Sequence, residues 1–225
     1  TGTVECICPL FASIPETLEF ERENYACVPY LDGRGYVTYA YNISGGAVVR
    51  WYRDSLAFYL KQAAKERGCS VYDLLNETCP PEPTGLIVLP FLQGMGGTPD
   101  VLTGARGTIY GLTMHTAPAD IYRAILEGLT FEMRYNLERL ARYDIRPTTL
   151  FAAGGGAKSP VWRQIKADIL GAEIRPTLAD EAGALGSAIL GLAAAAGFFQ
   201  SVVGFTLVLT TNLIVRKVSP DMAMF

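Results

Sequence analysis

Charged side chains are scarce in this chain: Asp, Glu, Lys and Arg make up 18% of its 225 residues, and the formal net charge is −3. Lys and Arg form no run, and their densest cluster, KQAAKER at 61–67, has the pattern of a solvent-facing helix. Proteins that bind nucleic acids or anionic membranes usually present a dense basic surface. The composition therefore predicts no nucleic-acid partner and favours chemistry on small molecules.

Side chains that could bind a metal are also few. The five cysteines are scattered and form no C-x-x-C pair, and His115 is the single histidine. A structural zinc site needs four closely spaced ligands, and a disulfide scaffold needs paired cysteines. We therefore expect neither. Cys6 and Cys8 alternate along a predicted strand, so they should face the same side, as buried thiols in a reducing cytosol.

The sequence shows no conspicuously long apolar run either. Hydrophobic residues make up 50% of the chain and the mean hydropathy is +0.22, which is typical of a well-packed globular protein. Its apolar stretches fall short of the roughly 20 residues that a membrane-spanning helix needs, and no signal peptide is recognisable. The sequence predicts a cytoplasmic protein without a membrane partner. Because it begins at Thr1, inside a predicted strand, we expect a piece of a longer protein.

Alternating strands and helices predict an α/β fold in one domain, 1–225. Strands at 25–31 and 36–42 flank the turn D-G-R-G, which is typical of a hairpin. A helix begins after Ser44, which can cap it, and ends at Gly68. The later elements are strands at 86–92, 107–114, from 148 and at 173–176, and helices at 120–142, 159–170 and 180–197. This order predicts a mixed sheet with helices on both faces. Residues 201–218, rich in Val, Thr and Leu, favour β structure.

Three consecutive glycines, Gly154, Gly155 and Gly156, separate an apolar strand from the helix at 159–170. Glycines at such a turn let a bulky ligand lie directly on the backbone, and a nucleotide phosphate is a common one. The cluster does not match G-x-G-x-x-G, because Ser159 stands at the last glycine, and it lacks the Gly-Lys-Ser/Thr of a P-loop. From these residues alone, a nucleotide site and an ordinary tight turn remain open.

A longer motif resembles the signature of a known protein family. Residues 107–127 read GTIYGL, seven residues, then DIYRAILE. This segment resembles the C-terminal signature of the FGGY carbohydrate kinases, and the resemblance extends over residues 1 to about 200. It implies an α/β, actin-like (ribonuclease-H-like) ATPase lobe, the second of two lobes that hold ATP in the cleft between them. The tyrosine-rich hairpin and the loop at 94–100 are most similar to xylulokinase-like members.

The resemblance also implies a nucleotide site. It places Gly154, Gly155, Gly156 and Ala157 along the α-phosphate and ribose. Ser159 falls near the base, where many relatives have Asn; its alternative role is the N-cap of the helix at 159–170. The resemblance implies three further phosphate contacts. They are a turn formed by Thr1, Gly2 and Thr3 at the β- and γ-phosphates, the helix start at Gly46, and the side chain of Arg50, which faces the cleft.

The resemblance implies that the parent protein uses ATP and Mg²⁺ to phosphorylate a small sugar. The acceptor that it favours is a pentulose such as xylulose. In the family, the catalytic aspartate and most sugar contacts precede the second lobe, so we expect no catalytic residue and no metal ligand in this chain. The chain alone should be inactive, and a homodimer is possible. The alternatives are a kinase for glycerol, gluconate or another polyol, a noncatalytic actin-like nucleotide-binding module, and a structural interaction domain.

Overall fold

The computed structural model describes residues 4–31, 33–177 and 182–218. By their contacts they divide into two compact units, Thr1–Leu178 and Ala179–Phe225, and each unit is described by itself. Thr1, Gly2 and Thr3 lie outside the described residues, so the phosphate turn expected there stays a prediction. A single domain over 1–225 also stays a prediction.

The first unit contains nine short strands that pair in four small sheets. Seven of them pair antiparallel, and the last two pair parallel, as a strand–helix–strand unit requires. The hairpin predicted around D-G-R-G is confirmed, since β3 pairs with β4. The strands are β1 Glu5–Ile7, β2 Leu10–Phe11, β3 Val28–Pro29, β4 Tyr36–Val37, β5 Ala40–Asn42, β6 Ile87–Leu89, β7 Thr108–Tyr110, β8 Thr149–Ala152 and β9 Glu173–Pro176.

Six α-helices and two 3₁₀ segments complete the described part of this unit. The helices are α1 Leu18–Arg22, α2 Gly45–Ser55, α3 Leu60–Arg67, α4 Val71–Thr78, α5 Pro118–Leu140 and α6 Pro160–Leu170, and the 3₁₀ segments are Ala141–Tyr143 and Gly155–Lys158.

The single helix predicted from Ser44 to Gly68 is wrong, because the chain turns at 56–59 between α2 and α3. Tyr52 and Ala57 are both fully buried in one cluster. Five residues apart on a continuous helix, they would point about 140° away from each other. The turn brings both into the same core. Ser44 occupies the N-cap position of α2, but its side chain makes no capping hydrogen bond, so that predicted role is also wrong.

Helix α5 is the central element of the first unit. Its apolar residues recur at spacings of three and four, which predicts one core face. That face is confirmed: Ile125, Leu129 and Leu140 are buried, and Ile121, Met133 and Leu137 pack against the core clusters. Gly128 lets the helix lie directly on β6, because a Cβ there would overlap the carbonyl oxygen of Val88. This close approach holds α5 against the β6–β7 sheet.

The described part of the second unit is one helix, α7, which spans Ala182–Val218. The β structure predicted for 201–218 is therefore wrong, and the predicted helix at 180–197 is much longer than expected. Four hydroxyl groups donate to the carbonyl four residues earlier, which pairs them within the helix. Residues Gly183–Ile214 carry no charge, and this stretch is long and apolar enough to cross a membrane by length and composition. The statement that every apolar stretch is too short is thus corrected.

Candidate functional site

The glycine turn joins β8 to α6. Gly154 has φ +82°, which L-residues with a side chain rarely adopt, and a Cβ at Gly154 or Gly155 would meet no described atom within 4 Å. Gly156 differs, since its Cβ would lie 2.9 Å from the ring of Trp162. The turn continues as the 3₁₀ segment that contains Ala157, which is half-buried. The backbone is therefore open to a ligand at the first two glycines and packed against the protein at the third.

Ser159 is buried and forms the N-cap of α6. Its Oγ accepts a hydrogen bond from the backbone N–H of Trp162 at 3.1 Å and donates to Oδ1 of Asn76 at 2.8 Å. Asn76 Oδ1 also accepts from the hydroxyl of Tyr122 at 3.3 Å. Burial raises the pKa of Tyr122, so that phenol stays protonated and keeps donating. The capping role considered for Ser159 is confirmed, and its only hydrogen is engaged by Asn76.

The first turn of α2 contains Gly45 and the candidate residue Gly46. A Cβ at Gly45 would lie 2.6 Å from the backbone nitrogen of Glu5, so the helix start packs directly on β1. Gly46 is half-buried in the same turn. Arg50, one turn later, is exposed. Both candidate residues thus lie on α2, close to its amino end.

Two buried side chains beside this helix start have unused donors. Asn42 is 8% exposed and Ser44 is fully buried. Asn42 Oδ1 accepts the backbone N–H of Ser44 at 2.8 Å, whereas Asn42 Nδ2 and Ser44 Oγ have no hydrogen-bond partner among the described residues. Leaving such groups unpaired costs about 1–3 kcal/mol each. Together with the free N–H groups of a helix start, they form a donor-rich site that fits an anion.

A continuous series of contacts joins this donor-rich site to the glycine turn. Glu5, under Gly45, forms an ion pair with Lys166 of α6, and both side chains are 11% exposed. The ammonium of Lys166 lies 4.3 Å from the ring centroid of Trp162, and that ring lies under Gly156. The glycine turn and the start of α2 therefore both contact one packed group of side chains.

Sequence reasoning missed five of these residues: Asn42, Ser44 as a donor, Glu5, Lys166 and Asn76. Three of them have partners far away in the chain: 83 residues separate Asn76 from Ser159, and Glu5 and Lys166 are farther apart still. No local spacing reveals such pairs. A weak signal was available only at N-x-S-G-G, 42–46, where polar side chains precede two glycines at a helix start.

The family signature at 107–127 has mainly structural roles. Asp120 accepts the backbone N–H of Ala117 at 2.8 Å and so caps α5. Glu127 pairs with Arg123 at 2.7 Å in a buried ion pair, and Arg123 also donates to the carbonyls of Pro80 and Pro81. A buried charge without its partner is strongly destabilising. The motif therefore fixes the position of α5, on which the site is built.

A comparison with protein families finds a match to the model described as the FGGY family of carbohydrate kinases, C-terminal domain, over residues 12–195. The chain belongs to this family. The match covers most of the chain, and it confirms the resemblance inferred from GTIYGL and DIYRAILE. It ends within α7, so Ala182–Ala195 lies inside the family match and the rest of that helix lies beyond it.

Curated relatives include a gluconokinase of Bacillus subtilis strain 168, 35% identical over 66% of this chain and 30% of that protein. A ribulokinase of Anoxybacillus flavithermus is 32% identical over 70% of this chain and 29% of that protein. The chain thus spans about 30% of the length of these relatives.

Among solved structures, ligand-bound xylulose kinase from Lactobacillus acidophilus superposes with a TM-score of 0.64 at 26% identity. The match covers 84% of this chain and 36% of that one. The predicted fold class, an α/β lobe of the actin-like, ribonuclease-H-like type, is confirmed. The chain's own strands pair in four small sheets where one mixed sheet was expected.

Proposed function

We propose that this chain is the nucleotide-binding lobe of an ATP-dependent sugar kinase, which transfers the γ-phosphoryl group to a hydroxyl of a small sugar. Family membership supports the reaction class. The observation that carries the site is the pair of unpaired buried donors, Asn42 Nδ2 and Ser44 Oγ, at the start of α2. A phosphate group bound at this helix start would bring acceptor oxygens for these donors. Upstream sequence would provide the catalytic base and most sugar contacts, so residues 1–225 alone would not phosphorylate a sugar.

The proposed nucleotide lies across the glycine turn and the start of α2. Backbone N–H groups at Gly154, Gly155 and Gly156 face the α-phosphate and ribose. Ala157, whose N–H donates to the carbonyl of Gly154 at 3.1 Å, lies along the ribose, and the hydroxyl of Ser159 borders the base while it caps α6. Gly46 and Arg50, with the turn at Thr1, Gly2 and Thr3, contact the β- and γ-phosphates. Phosphoryl transfer depends mainly on such positioning and on neutralising charge.

Magnesium is proposed to enter with the phosphates of ATP. Among the described residues, no group of three or more His, Cys, Asp or Glu side chains could hold a metal ion. The described part of the lobe therefore does not fit a resident metal, and we assign no step of the reaction to one in it. In the proposal, the lobe contributes hydrogen-bond donors and Arg50 to the phosphates.

For the acceptor we propose a pentulose such as xylulose, because a xylulose kinase structure superposes on most of the chain. The second candidate is gluconate, supported by the 35% identity to a gluconokinase. Testing the full-length parent on a panel of pentuloses, gluconate and glycerol would decide between them. A cytoplasmic site of action follows from the need for ATP.

Calorimetry with ADP tests the nucleotide site. We expect wild-type chain to bind, Gly155→Val to lose binding because its side chain fills the open space on the turn, and circular dichroism to be unchanged. Equal binding by wild type and Gly155→Val would contradict the site. ATP-dependent sugar phosphorylation by purified residues 1–225 would contradict the proposed absence of the catalytic base.

Ser44→Ala tests the second half of the site. The hydroxyl of Ser44 has no partner among the described residues, so its removal should leave the free energy of unfolding unchanged or slightly raised. The affinity for ADP should fall by about ten- to 150-fold, the size of one hydrogen bond to a charged group. Unchanged affinity would exclude Ser44 from the phosphate site. Ser70→Ala is a control, because Ser70 caps α4 and is remote in sequence from both turns.

A further inference from the structure

Cys6 and Cys8 form an exposed pair of thiols beside the candidate site. Their Sγ atoms are 3.4 Å apart and both residues are exposed, so the expectation of buried thiols is wrong, although they do face the same side. Cys6 lies in β1, opposite Tyr41 of β5, and Cys8 follows the end of that strand. The buried Ile7 holds the segment between them. The two sulfur atoms need to approach each other by only about 1.4 Å to reach the length of a disulfide bond.

The two thiols differ in acidity because they share a hydrogen bond. The thiol of Cys6 lowers the pKa of Cys8 to about 7, and the hydrogen bond to Cys8 raises the pKa of Cys6. By contrast, burial raises the pKa of Cys79 to about 11. A thiolate is the nucleophilic form of cysteine. The pair thus contains one thiol suited to attack and one protonated neighbour within reach.

We propose that Cys6 and Cys8 are an oxidisable dithiol, a modification site at which Cys8 reacts with a hydroperoxide and Cys6 then closes a disulfide. The geometry carries this assignment: two exposed sulfur atoms lie 3.4 Å apart on one side of a strand, and both belong to free cysteines. Low-molecular-weight thiols would reverse the modification by thiol–disulfide exchange.

The chemistry balances in two steps. The Cys8 thiolate attacks one peroxide oxygen, so that an S–O bond forms, the O–O bond breaks and the released alkoxide or hydroxide takes a proton from water. This leaves a sulfenic acid on Cys8. The sulfur of Cys6 then attacks the sulfur of Cys8, an S–S bond forms, and hydroxide leaves with the proton of Cys6 as water. Two thiols supply two electrons, and one peroxide is reduced.

A consequence for nucleotide binding rests on the proposed function. Glu5 and Asn42 lie opposite each other in the β1–β5 pair, and Gly45 packs on Glu5. A covalent ring from Cys6 to Cys8 would shift the end of β1, and with it the support of the α2 start. We therefore expect the oxidised chain to bind ADP several-fold more weakly than the reduced chain.

The experiment treats reduced wild-type chain with one equivalent of hydrogen peroxide and maps thiols by alkylation and mass spectrometry. We expect a Cys6–Cys8 disulfide that dithiothreitol removes. Cys6→Ser keeps a hydroxyl donor beside Cys8 and should accumulate a sulfenic acid on Cys8, trapped by dimedone, whereas neither Cys6→Ser nor Cys8→Ser should form the disulfide. Cys79→Ser is the matched control and should still form the disulfide. Circular dichroism checks that each variant is folded.

Free thiols at both positions after treatment, or a disulfide to another cysteine, would overturn the dithiol. Equal ADP affinities of the oxidised and reduced chains would overturn its coupling to the nucleotide site. These results are separable from a failure of the proposed function, in which the reduced chain would not bind ADP while the mapped thiols still report on the dithiol.

Discussion

At the scale of single residues, the three glycines of the turn have different tasks. Gly154 adopts a positive φ, Gly155 leaves open space and Gly156 packs on Trp162. The triplet was visible in the sequence, but its division of labour was not, because Trp162 approaches Gly156 only once α6 has folded back. The sequence likewise indicated that Ser159 could cap α6, whereas its bond to Asn76 depends on α4, which sequence reasoning overlooked.

Substituting alanine at two neighbouring glycines should separate these tasks. Gly156→Ala should lower the free energy of unfolding by about 1–3 kcal/mol, because its Cβ would lie 2.9 Å from the buried Trp162 ring. Gly155→Ala is the matched control and should change stability by less than about 0.5 kcal/mol. Urea unfolding followed by tryptophan fluorescence measures both. Equal losses would show that Gly156 is not packed as described.

Ser159→Ala should also destabilise the chain. The variant loses the cap of α6 and leaves Asn76 Oδ1 with one donor instead of two, which together should cost about 1–2 kcal/mol. Ser159→Thr keeps the hydroxyl and should recover part of this loss. Urea midpoints give the comparison, and a Ser159→Ala variant as stable as wild type would mean that the buried network contributes nothing.

At the scale of secondary-structure elements, long periodic segments were predictable and interrupted ones were not. The pattern of α5 gave its core face correctly, because one apolar stripe faces one core. The break between α2 and α3 could not be read from the same kind of pattern, since it results from Ala57 joining a cluster that forms only in the folded unit. Helix α4 was missed although Ser70 and Asp73 form a capping box, a signal the sequence does carry.

Residues 201–218 show how a propensity can mislead. Val and Thr favour strands when they pack on a pleated surface, yet this segment continues a helix that is already nucleated by an alanine-rich stretch, and extension adds one hydrogen bond per residue. Thr206 and Thr210 return their hydroxyl hydrogens to the helix backbone. The preceding sequence therefore decided the outcome, and the local composition did not.

The contact between α5 and β6 gives a prediction at this scale. Gly128→Ala improves helix propensity by about 1 kcal/mol, but its Cβ would overlap the carbonyl oxygen of Val88 in the backbone. We expect the overlap to dominate, with a net loss of about 1–3 kcal/mol in the free energy of unfolding. Gly191→Ala in α7 is the control, since nothing lies within 4 Å of its Cβ. Stabilisation by Gly128→Ala would contradict the close approach of α5 to β6.

At the scale of the whole molecule, the family and the fold were predictable. One motif of about twenty residues and the order of strands and helices can both be recognised in the sequence. The substrate was not predictable, since the relatives include a gluconokinase and a ribulokinase of similar identity and the chain covers about 30% of either. The apolar character of α7 as a continuous helix was also missed. Its most apolar window has a mean hydropathy of 1.9 and contains no buried residue.

This exposed helix predicts that purified residues 1–225 associate. A helix that is apolar on all sides is unstable in water, so its side chains should seek other apolar surface. Leu192, Phe198, Phe199 and Phe205 are each at least 65% exposed. Light scattering after size exclusion should give a mass that rises with concentration and falls in a nonionic detergent.

A chain ending at residue 195 keeps the whole family match but loses three of these four residues, and it should associate less. A concentration-independent monomer of residues 1–225 would show that α7 is covered in solution, and a fixed dimer in both chains would place the contact within residues 1–195.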